Sequence, residues 1–504
     1  EKDKKEKKDS VVVEIDFDRI MERIETVGPR FGSQFGAYVF ASGDKTVVVY
    51  GSNHDEGSGK LYKTAYEEFE KTETKVIAGN GVGSATDLVV RKGKPYLLGA
   101  GKLQEINVGQ NKLKVIDLKH TFRRTLAAEF EQMYYETWAN LEENFYSSDF
   151  HGIDWEAMRE KYAAYLPFVT TRADLRRLTN DLLGELNTSH FGFYSNGAEE
   201  RTKSQTRSVA LGLEYAADAP YQIASIIPDG PADRESIDIQ PGDRIVAIDG
   251  ERIDPKQNRE AYLSRPSVDN AVTLTLVRGT GEEQEVHLHP TNYFSIRNAR
   301  YDAWVDACQA RVDEATNERV AYVHMKNMGG GELNNFMNEM VAEGYRRDAL
   351  ILDLRWNTGG NVHDAVLQFL SQRHYLNWKY RGSELAPQPH FAPQEKPIIL
   401  LLNQQSLSDA EMTAEGFKQL GLGTIIGTPT YRWIIFTSGK GLVDGSFYRL
   451  PSWGCYALDG RNLEKTGVEP DVRIDNTAAD RQAGRDPQLD AAIKAAMEGL
   501  KTRK

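Results

Sequence analysis

The last part of the chain alternates apolar runs with segments of helical periodicity. Three apolar runs predict buried strands, at 319–324, 349–354 and 397–402. Three segments with helical spacing lie between or after them, at 333–345, 362–372 and 409–420. This alternation predicts a mostly parallel α/β core, in which ligands bind at the carboxyl ends of the strands. The loop 355–361 and the turn before Asp409 both fall at that edge.

Residues 35–118 show a different pattern, in which short β runs and turns repeat. Segment 36–51 resembles segment 85–99, and each is followed by two more short β runs. Four strands repeating after about fifty residues are typical of a β-propeller blade. Two blades do not close a ring, which needs ~4–8 blades. We therefore expect the carboxy-terminal end of a propeller here, with an independent β-sandwich as the alternative.

Helical spacing dominates residues 119–206, which predict a helical or mixed core lobe. The predicted helices cover 122–146, 155–165 and 173–186. Asp154 and Thr171 stand at the positions of N-terminal caps. The last helix ends in a turn that carries Ser189 and His190 into a strand.

Residues 207–292 read as a separate module that resembles a PDZ domain. Leu211-Gly212-Leu213 corresponds to the loop that binds a peptide carboxylate, and Pro241-Gly-Asp-Arg-Ile245 to a later strand. Such a module adds a peptide as an extra strand and holds its terminal carboxylate on backbone N–H groups. The alternative is a spacer between two lobes. We expect the rest of the chain to form three further regions. These are a charged linker with a propeller remnant at 1–34, a second core lobe at 293–478 and a carboxy-terminal helix at 479–504.

Composition narrows the function classes. The 504 residues include 62 basic and 74 acidic side chains, a net charge of −12, which argues against nonspecific binding to nucleic acid or anionic membranes. No apolar run approaches the ~18 residues that span a bilayer. Cys308 and Cys455 form no metal motif, so we expect neither a metal nor another cofactor. The chain begins with a mixed charge run and without Met, so we expect a fragment of a longer protein.

The turn Asn403-Gln-Gln-Ser-Leu-Ser-Asp409 carries the strongest chemical signal. It joins a predicted buried strand to a predicted helix, so its hydroxyls lie over a helix start, where unpaired N–H groups favour negative charge. A nucleophile in acyl transfer benefits from that position, because an oxyanion forms there. Ser406 and Ser408 are both candidates. Taken alone, the same residues also fit an ordinary helix cap.

Three other segments supply complementary chemistry. The pair Gly359-Gly360 lets a backbone N–H approach a reacting carbonyl without a Cβ in the way, although such pairs also make plain turns. His190 is a natural general base near neutral pH, or else a structural histidine. Glu464 can orient the imidazole through an intervening hydroxyl, or else is a surface acid.

The order of these segments resembles the tricorn proteases, which are serine peptidases related to the carboxy-terminal-processing peptidases. Ser189-His190 comes first, a PDZ-like module follows, and then come Asp353-x-Arg-x-Asn-x-Gly-Gly360, Asn403-x-x-Ser-x-Ser-Asp-Ala-Glu411 and Gly467-Val-x-Pro-Asp471. The resemblance covers about residues 35–500. It implies a multidomain α/β and β fold with partial propeller blades, a mixed core lobe, a PDZ-like domain and an α/β core lobe of the peptidase type.

The resemblance also implies roles for individual residues. Ser408 is the expected nucleophile, with Ser406 as its rival, and His190 is the expected base. Ser189 and Glu464 complete the expected tetrad. The N–H of Asp409, with that of Gly359 or Gly360, is the expected oxyanion hole.

A Ser/Lys dyad is the competing mechanism within this group of peptidases. It needs a lysine about 25 positions after the serine. The sequence has no lysine in that neighbourhood, and the next one after it is Lys440. The tetrad is therefore favoured.

The predicted function is hydrolysis of unfolded peptides or oligopeptides through a seryl acyl-enzyme. The alternative is a catalytically inactive scaffold that binds peptides through its PDZ and propeller regions. The resemblance further implies peptide substrates and a homo-oligomer of hexameric type, with no nucleic-acid or membrane partner. It implies a cytoplasmic location, with the periplasm as the alternative because we expect the amino terminus of the protein to be missing from this sequence.

Overall fold

The structure is a computed structural model, and it describes most of the chain. The described residues are 16–24, 26, 28–55, 59–67, 70, 72–78, 85–92, 94–99, 102–119, 123–200 and 206–502. The first fifteen residues of the predicted linker, and the predicted start of the first helix at residue 122, lie outside them. The chain divides into two compact units, Glu1–Arg124 and Thr125–Lys504, which are described separately.

The first unit contains two antiparallel sheets of four strands each. The strands are β1 (Gln34–Ser42), β2 (Lys45–Ser52), β3 (Lys60–Tyr66), β4 (Glu73–Ala78), β5 (Ala85–Arg91), β6 (Lys94–Gly99), β7 (Lys102–Asn107) and β8 (Lys112–Val115). Each sheet runs in chain order, β1-β2-β3-β4 and β5-β6-β7-β8. Phe40, Val49 and Leu61 of the first sheet share one apolar cluster with Leu97 and Ile106 of the second. The four-strand repeat is present, and its interpretation as propeller blades stays a prediction.

The second unit begins with three helices and a short strand. They are α1 (Leu126–Asn144), α2 (Trp155–Ala163), α3 (Arg172–Gly184) and β9 (Gly192–Tyr194). The carboxylate of Asp154 accepts a hydrogen bond from the Ala157 N–H at the start of α2. Thr171 and Asp174 form a reciprocal capping box at the start of α3. Both predicted caps are therefore confirmed.

The PDZ-like region is built from short strands around one small helix. The elements are β10 (Arg207–Ser208), β11 (Leu213–Tyr215), β12 (Ile223–Ile226), β13 (Arg244–Ile248), β14 (Glu251–Arg252), α4 (Arg259–Tyr262), β15 (Ser264–Arg265), β16 (Val272–Val277) and β17 (Glu283–Leu288). The largest sheet here has the order β14-β13-β16-β17. Alternate residues of β16, Val272, Leu274 and Leu276, are buried in the core of this region.

The remaining elements form the α/β lobe and the segments attached to it. They are α5 (Tyr293–Thr316), β18 (Val320–His324), α6 (Gly330–Glu339), β19 (Ala349–Asp353), α7 (His363–Leu370), β20 (Leu376–Lys379), β21 (Leu385–Gln388), β22 (Ile398–Leu402), α8 (Asp409–Gln419), β23 (Thr424–Gly427), β24 (Phe436–Gly441), β25 (Phe447–Trp453), α9 (Leu463–Thr466), β26 (Val472–Arg473), α10 (Ala478–Gln482) and α11 (Pro487–Thr502). A π-helical turn, Met340–Gly344, extends α6.

The predicted parallel sheet is confirmed. Its order is β18-β19-β22-β23-β26, and every pair in it is parallel. All five residues of β19 and of β22 are buried, because helices cover both faces of the sheet. Helices α7 and α8 contribute to the core on one face, and α5 and α11 to the core on the other. The 24-residue α5 was not anticipated from the sequence.

The hairpin β24–β25 leaves this lobe and completes the sheet that contains β9. The sheet order is β24-β25-β9, with Tyr448 opposite Phe193. Leu442 and Leu450 pack in the same cluster as residues of α1 and α3. The domain boundaries drawn from the sequence stay a prediction, but this sheet joins residues from two of the predicted lobes.

A buried ion pair fastens this hairpin to α3, and it yields the first prediction. The Arg172 guanidinium lies 2.5 Å from the Asp444 carboxylate, with side-chain exposures of 2% and 4%. Asp444→Ala removes the buried partner of Arg172 and leaves it with the more exposed Glu199, so we expect the free energy of unfolding to fall by about 1.5–3 kcal/mol. Asp459→Ala removes an exposed pair with Arg461 and should cost less than about 1 kcal/mol. Denaturant unfolding checks both, and equal losses would contradict the prediction.

Candidate active site

Ser408 lies on a strained turn between β22 and α8. Its backbone dihedrals are φ 58° and ψ −118°, a region that residues other than glycine rarely occupy. The Ser408 N–H donates to Oε1 of Glu411 at 3.1 Å, which holds the turn in this conformation. Within the described residues, the Ser408 hydroxyl donates no hydrogen bond, and its side chain lines a cavity of about 270 Å³. The side chain is thus held at the start of a helix with its hydroxyl proton uncommitted.

Ser406 has a different environment. Its hydroxyl donates to the Leu354 carbonyl at 2.8 Å and accepts from the Asn403 N–H at 3.0 Å. The residue is fully buried. Because both partners are backbone groups at the ends of β19 and β22, Ser406 ties the turn to the sheet.

A chain of hydrogen bonds joins Glu464, Ser189 and His190. The Ser189 hydroxyl donates to Oε2 of Glu464 at 2.8 Å and lies 3.2 Å from Nδ1 of His190. The Ser189 N–H donates to the other carboxylate oxygen at 2.6 Å. The Ile434 N–H also donates to Glu464, at 3.2 Å. These three residues are brought together although Glu464 is 275 positions from Ser189.

His190 lies between two cavities. It shares the 270 Å³ cavity with Ser408, and on its other side a cleft of about 1170 Å³ is lined by Ser189, Glu464 and Trp433. No hydrogen bond joins His190 to Ser408 within the described residues, and catalytic hydrogen bonds often tighten only when substrate binds. Burial, with a smaller contribution from the Arg449 charge, lowers the pKa of His190 to about 3. The imidazole is therefore neutral at pH 7 and able to accept a proton.

The two glycines near Ser408 differ in what their N–H groups do. Gly359 donates its N–H to Oδ1 of Asn357 at 2.8 Å and accepts from the Met328 N–H through its carbonyl. A Cβ on Gly359, at φ 77°, would lie 2.6 Å from Cβ of Ser408. The N–H groups of Gly360 and Asp409 have no acceptor in the described part of the chain, and both residues line the Ser408 cavity. These are the two N–H groups available to an oxyanion.

The side chain of Asp409 has a role that sequence reasoning missed. Its buried carboxylate accepts from the N–H groups of Val362 and His363 at 2.6 and 3.0 Å, so it caps α7 rather than its own helix. It also lies 2.5 Å from Nδ1 of His363. An aspartate directly after the nucleophile candidate thus fixes the turn to a neighbouring helix.

Glu411 is the second residue that sequence reasoning missed. Besides the Ser408 N–H, its carboxylate accepts from the N–H groups of Arg432 and Trp433, at 2.9 and 2.8 Å, and from the Thr430 hydroxyl at 2.5 Å. The loop 430–434 is therefore bound to Glu411 at one end and to Glu464 at Ile434. The only sequence signal was the acidic third position of a helix, which also fits a capping box.

The predicted carboxylate-binding loop of the PDZ-like region lies apart from these residues. Leu211 and Leu213 are buried, and Gly212 has φ 76°. The loop borders a cavity of about 700 Å³ that Arg259 and Arg300 also line.

A further cavity lies at the carboxyl edge of the parallel sheet. It measures about 530 Å³ and is bordered by Trp304, Trp356 and Asn403. The edge of the sheet therefore has more than one concave site, and topology alone does not select the Ser408 cavity. Within the described ranges, no three His, Cys, Asp or Glu side chains are grouped so as to hold a metal ion. None of the helices in this part of the chain combines the length and the hydropathy of a membrane span.

The His363–Asp409 pair yields a pH-dependent prediction. Asp409 raises the pKa of His363, with a further contribution from Asp364, which lies 3.5 Å from its Nε2. A raised folded-state pKa means that the pair stabilises the fold fully below the unfolded value of about 6.5 and loses that contribution as the pH rises through the folded value. We expect His363→Gln to lower Tm more at pH 6 than at pH 9. His287→Gln, at an exposed position of β17, is the control. A pH-independent loss for His363→Gln would contradict the prediction.

Comparison with known proteins identifies three regions of the chain. Peptidase family S41 matches residues 319–474, the tricorn protease C1 domain matches 126–184, and a PDZ domain matches 222–278. The tricorn protease of Thermoplasma acidophilum is 30% identical over 383 residues, covering 74% of this chain and 35% of its own length. The putative tricorn-like protease C-terminal subunit of Sulfurisphaera tokodaii is 30% identical over 387 residues, covering 74% of this chain and 44% of its own.

A further tricorn protease homolog and a solved tricorn protease structure are also similar to this chain. Tricorn protease homolog 1 of Streptomyces coelicolor is 29% identical over 401 residues, covering 74% of this chain and 36% of its own length. A crystal structure of the tricorn protease superposes with a TM-score of 0.75 at 24% identity, over 92% of this chain and 46% of that one. The chain spans less than half the length of these relatives.

Proposed function

The chain belongs to the tricorn-type serine peptidases of family S41, whose carboxy-terminal portion it resembles. We propose that it hydrolyses unfolded peptides or oligopeptides through a seryl acyl-enzyme. The observation that supports this most is the hydrogen-bonded chain Glu464–Ser189–His190, which ends in the cavity that the Ser408 side chain lines. The proposed base, the proposed nucleophile and two N–H groups without an acceptor among the described residues thus border one cavity.

In the proposed reaction, Ser408 attacks the carbonyl carbon of the scissile peptide bond. His190 takes the hydroxyl proton, and the carbonyl oxygen becomes an oxyanion that receives hydrogen bonds from the N–H groups of Asp409 and Gly360. His190 then gives the proton to the departing amine. Water, deprotonated by the same imidazole, hydrolyses the acyl-enzyme. Gly360 is proposed over Gly359 because the Gly359 N–H is already donated to Asn357.

Ser189 and Glu464 act on His190 as positioning residues in this proposal. The carboxylate orients the Ser189 hydroxyl, which in turn fixes the imidazole through Nδ1 and leaves Nε2 for Ser408. The negative charge of Glu464 also favours the imidazolium that forms during attack. This matters because burial alone disfavours that charged form.

Two alternatives receive less support. Lys440 does not line the Ser408 cavity, which speaks against a Ser/Lys dyad. The inactive scaffold is not favoured, because the relatives are proteases and because Ser408, His190 and the N–H groups of Gly360 and Asp409 border one cavity.

The finer expectations from the sequence stay proposals. The two four-stranded sheets are proposed as propeller blades, and Leu211-Gly212-Leu213 as a loop that binds a peptide carboxylate. A hexamer and a cytoplasmic location rest on likeness to the family.

The identity of the nucleophile is tested with a serine-reactive phosphonate and an unstructured peptide. We expect Ser408→Ala to lose both labelling and at least about 10³-fold of the turnover, because the covalent intermediate no longer forms. Ser383→Ala, in an exposed hairpin, should keep both. Intact-mass and peptide-mapping spectra locate the label. A label that persists in Ser408→Ala would sink the proposed mechanism.

The role of Glu464 is tested separately. Glu464→Gln keeps the size of the side chain but removes its charge, so we expect turnover to fall by about 10²–10⁴-fold with little change in KM. Glu469→Gln, at a solvent-exposed position, is the matched control. Circular dichroism confirms that both variants fold. An unaffected rate in Glu464→Gln would remove this carboxylate from the mechanism.

A further inference from the structure

Arg449 is a cationic side chain inside the cavity of the proposed nucleophile. It lies on β25 opposite Gly192 of β9, two positions after His190. Its Nε and Nη2 groups donate to the Thr437 hydroxyl at 3.2 and 3.0 Å, so the guanidinium is held in place. In the described part of the chain, no carboxylate lies within 4.0 Å of it.

Two arginines that are buried more deeply than Arg449 differ from it in this respect. Arg172 is paired with Asp444 and Glu199, and Arg355 with Asp353 and Asp486. A partly desolvated charge without a counter-charge is costly, and buried charges in proteins are generally paired. An arginine left unpaired beside a catalytic serine therefore points to a partner that arrives with the substrate.

The rest of the cavity indicates which part of the substrate enters it. Its wall is formed by Met412, Ile434, Ile435, Phe436, Thr437 and Arg449. At about 270 Å³ it is smaller than the ~300–1,000 Å³ of a site for a drug-sized ligand, so it fits one side chain. It also contains Ser408 and the free N–H groups of Gly360 and Asp409. When a peptide binds with its scissile carbonyl at those groups, the substrate side chain nearest to them belongs to the residue that carries this carbonyl.

We propose that this cavity receives the side chain on the acyl side of the scissile bond and that Arg449 selects an aspartate or glutamate there. The inference rests on the proposed peptidase function. The apolar wall contacts the methylene groups of the substrate side chain, and the guanidinium binds its carboxylate through charge-assisted hydrogen bonds.

The proposed contact between a substrate carboxylate and Arg449 also affects His190, the proposed base. The positive charge of Arg449 opposes protonation of His190 and helps to hold its pKa low. A substrate carboxylate on Arg449 neutralises that charge, so the imidazolium forms more readily during attack by Ser408. An acidic substrate should therefore raise kcat as well as lower KM, which a purely structural arginine would not do.

The test uses internally quenched peptides that are blocked at both ends and differ only at the acyl-side residue, which is Glu, Gln, Leu or Lys. Because the ends are blocked, only a side chain can supply the carboxylate. We expect kcat/KM for the Glu peptide to exceed that for the Gln peptide by at least about tenfold in the unaltered protein. Arg449→Met should bring that ratio close to one, and Arg449→Glu should favour the Lys peptide over the Glu peptide. Arg449→Lys should keep an acidic preference, which guards against a folding defect as the cause.

Arg473→Met, on the exposed strand β26, is the matched control and should keep the ratio of the unaltered protein. Binding of the same peptides to Ser408→Ala, by calorimetry, tests recognition without turnover and should show the same order of affinities. Cleavage of neutral peptides and phosphonate labelling, without a preference for Glu over Gln, would overturn the inference and leave the peptidase function standing. Absence of labelling and of cleavage of every peptide would overturn the peptidase function, and calorimetry would then decide separately on recognition by Arg449.

Discussion

The carboxylate of Glu411 is the contact on which the arrangement around Ser408 depends. It is fully buried and accepts hydrogen bonds from the N–H groups of Ser408, Arg432 and Trp433 and from the Thr430 hydroxyl. Desolvation raises the pKa of this carboxyl, and the four donors offset the cost of its charge. Without this acceptor, the strained backbone of Ser408 and the loop 430–434 would both lose their restraint.

The loop 430–434 passes this restraint on to the second carboxylate. Its Ile434 N–H donates to Glu464, which also binds the backbone and the hydroxyl of Ser189. One loop is thus held by two carboxylates from distant segments. This double attachment links the turn of Ser408 to the segment of Ser189 and His190, since Ser408 and His190 themselves share no hydrogen bond among the described residues.

Charges of opposite sign, on Arg449 and Glu464, act on His190. His190 is neutral at pH 7 because burial and Arg449 lower its pKa to about 3, whereas Glu464 provides a negative charge on its far side through Ser189. In the proposed mechanism a neutral base suits the start of the reaction, but the imidazolium that follows needs stabilisation. Under that proposal Glu464 supplies a permanent part of it, and a substrate carboxylate on Arg449 supplies the rest. Specificity and base strength would then be coupled through a single arginine.

Much of the fold was predictable from the sequence because its signals are local. Helical spacing and caps located α2, α3 and α8, and apolar runs located β18, β19 and β22 to within about two residues, since each depends only on neighbouring side chains. The helix α5 escaped because its apolar positions serve two different neighbours and give no single stripe.

The sequence by itself also determined which chemistry-bearing residues the chain has, including Ser408, His190 and Glu464. The tertiary structure decided which of them meet and which groups are free. The Ser406 hydroxyl is tied to the sheet while that of Ser408 is not, and the N–H of Gly359 is already donated while that of Gly360 is not. Likewise, only the pairing of β25 with β9 brings Arg449 beside His190. The physical reason is that the contacts of Ser406 with Leu354 and of β25 with β9 join segments distant in the sequence, about which local periodicity and capping carry no information. The Gly359–Asn357 hydrogen bond is local, but it depends on the exact conformation of the loop, which periodicity does not give either.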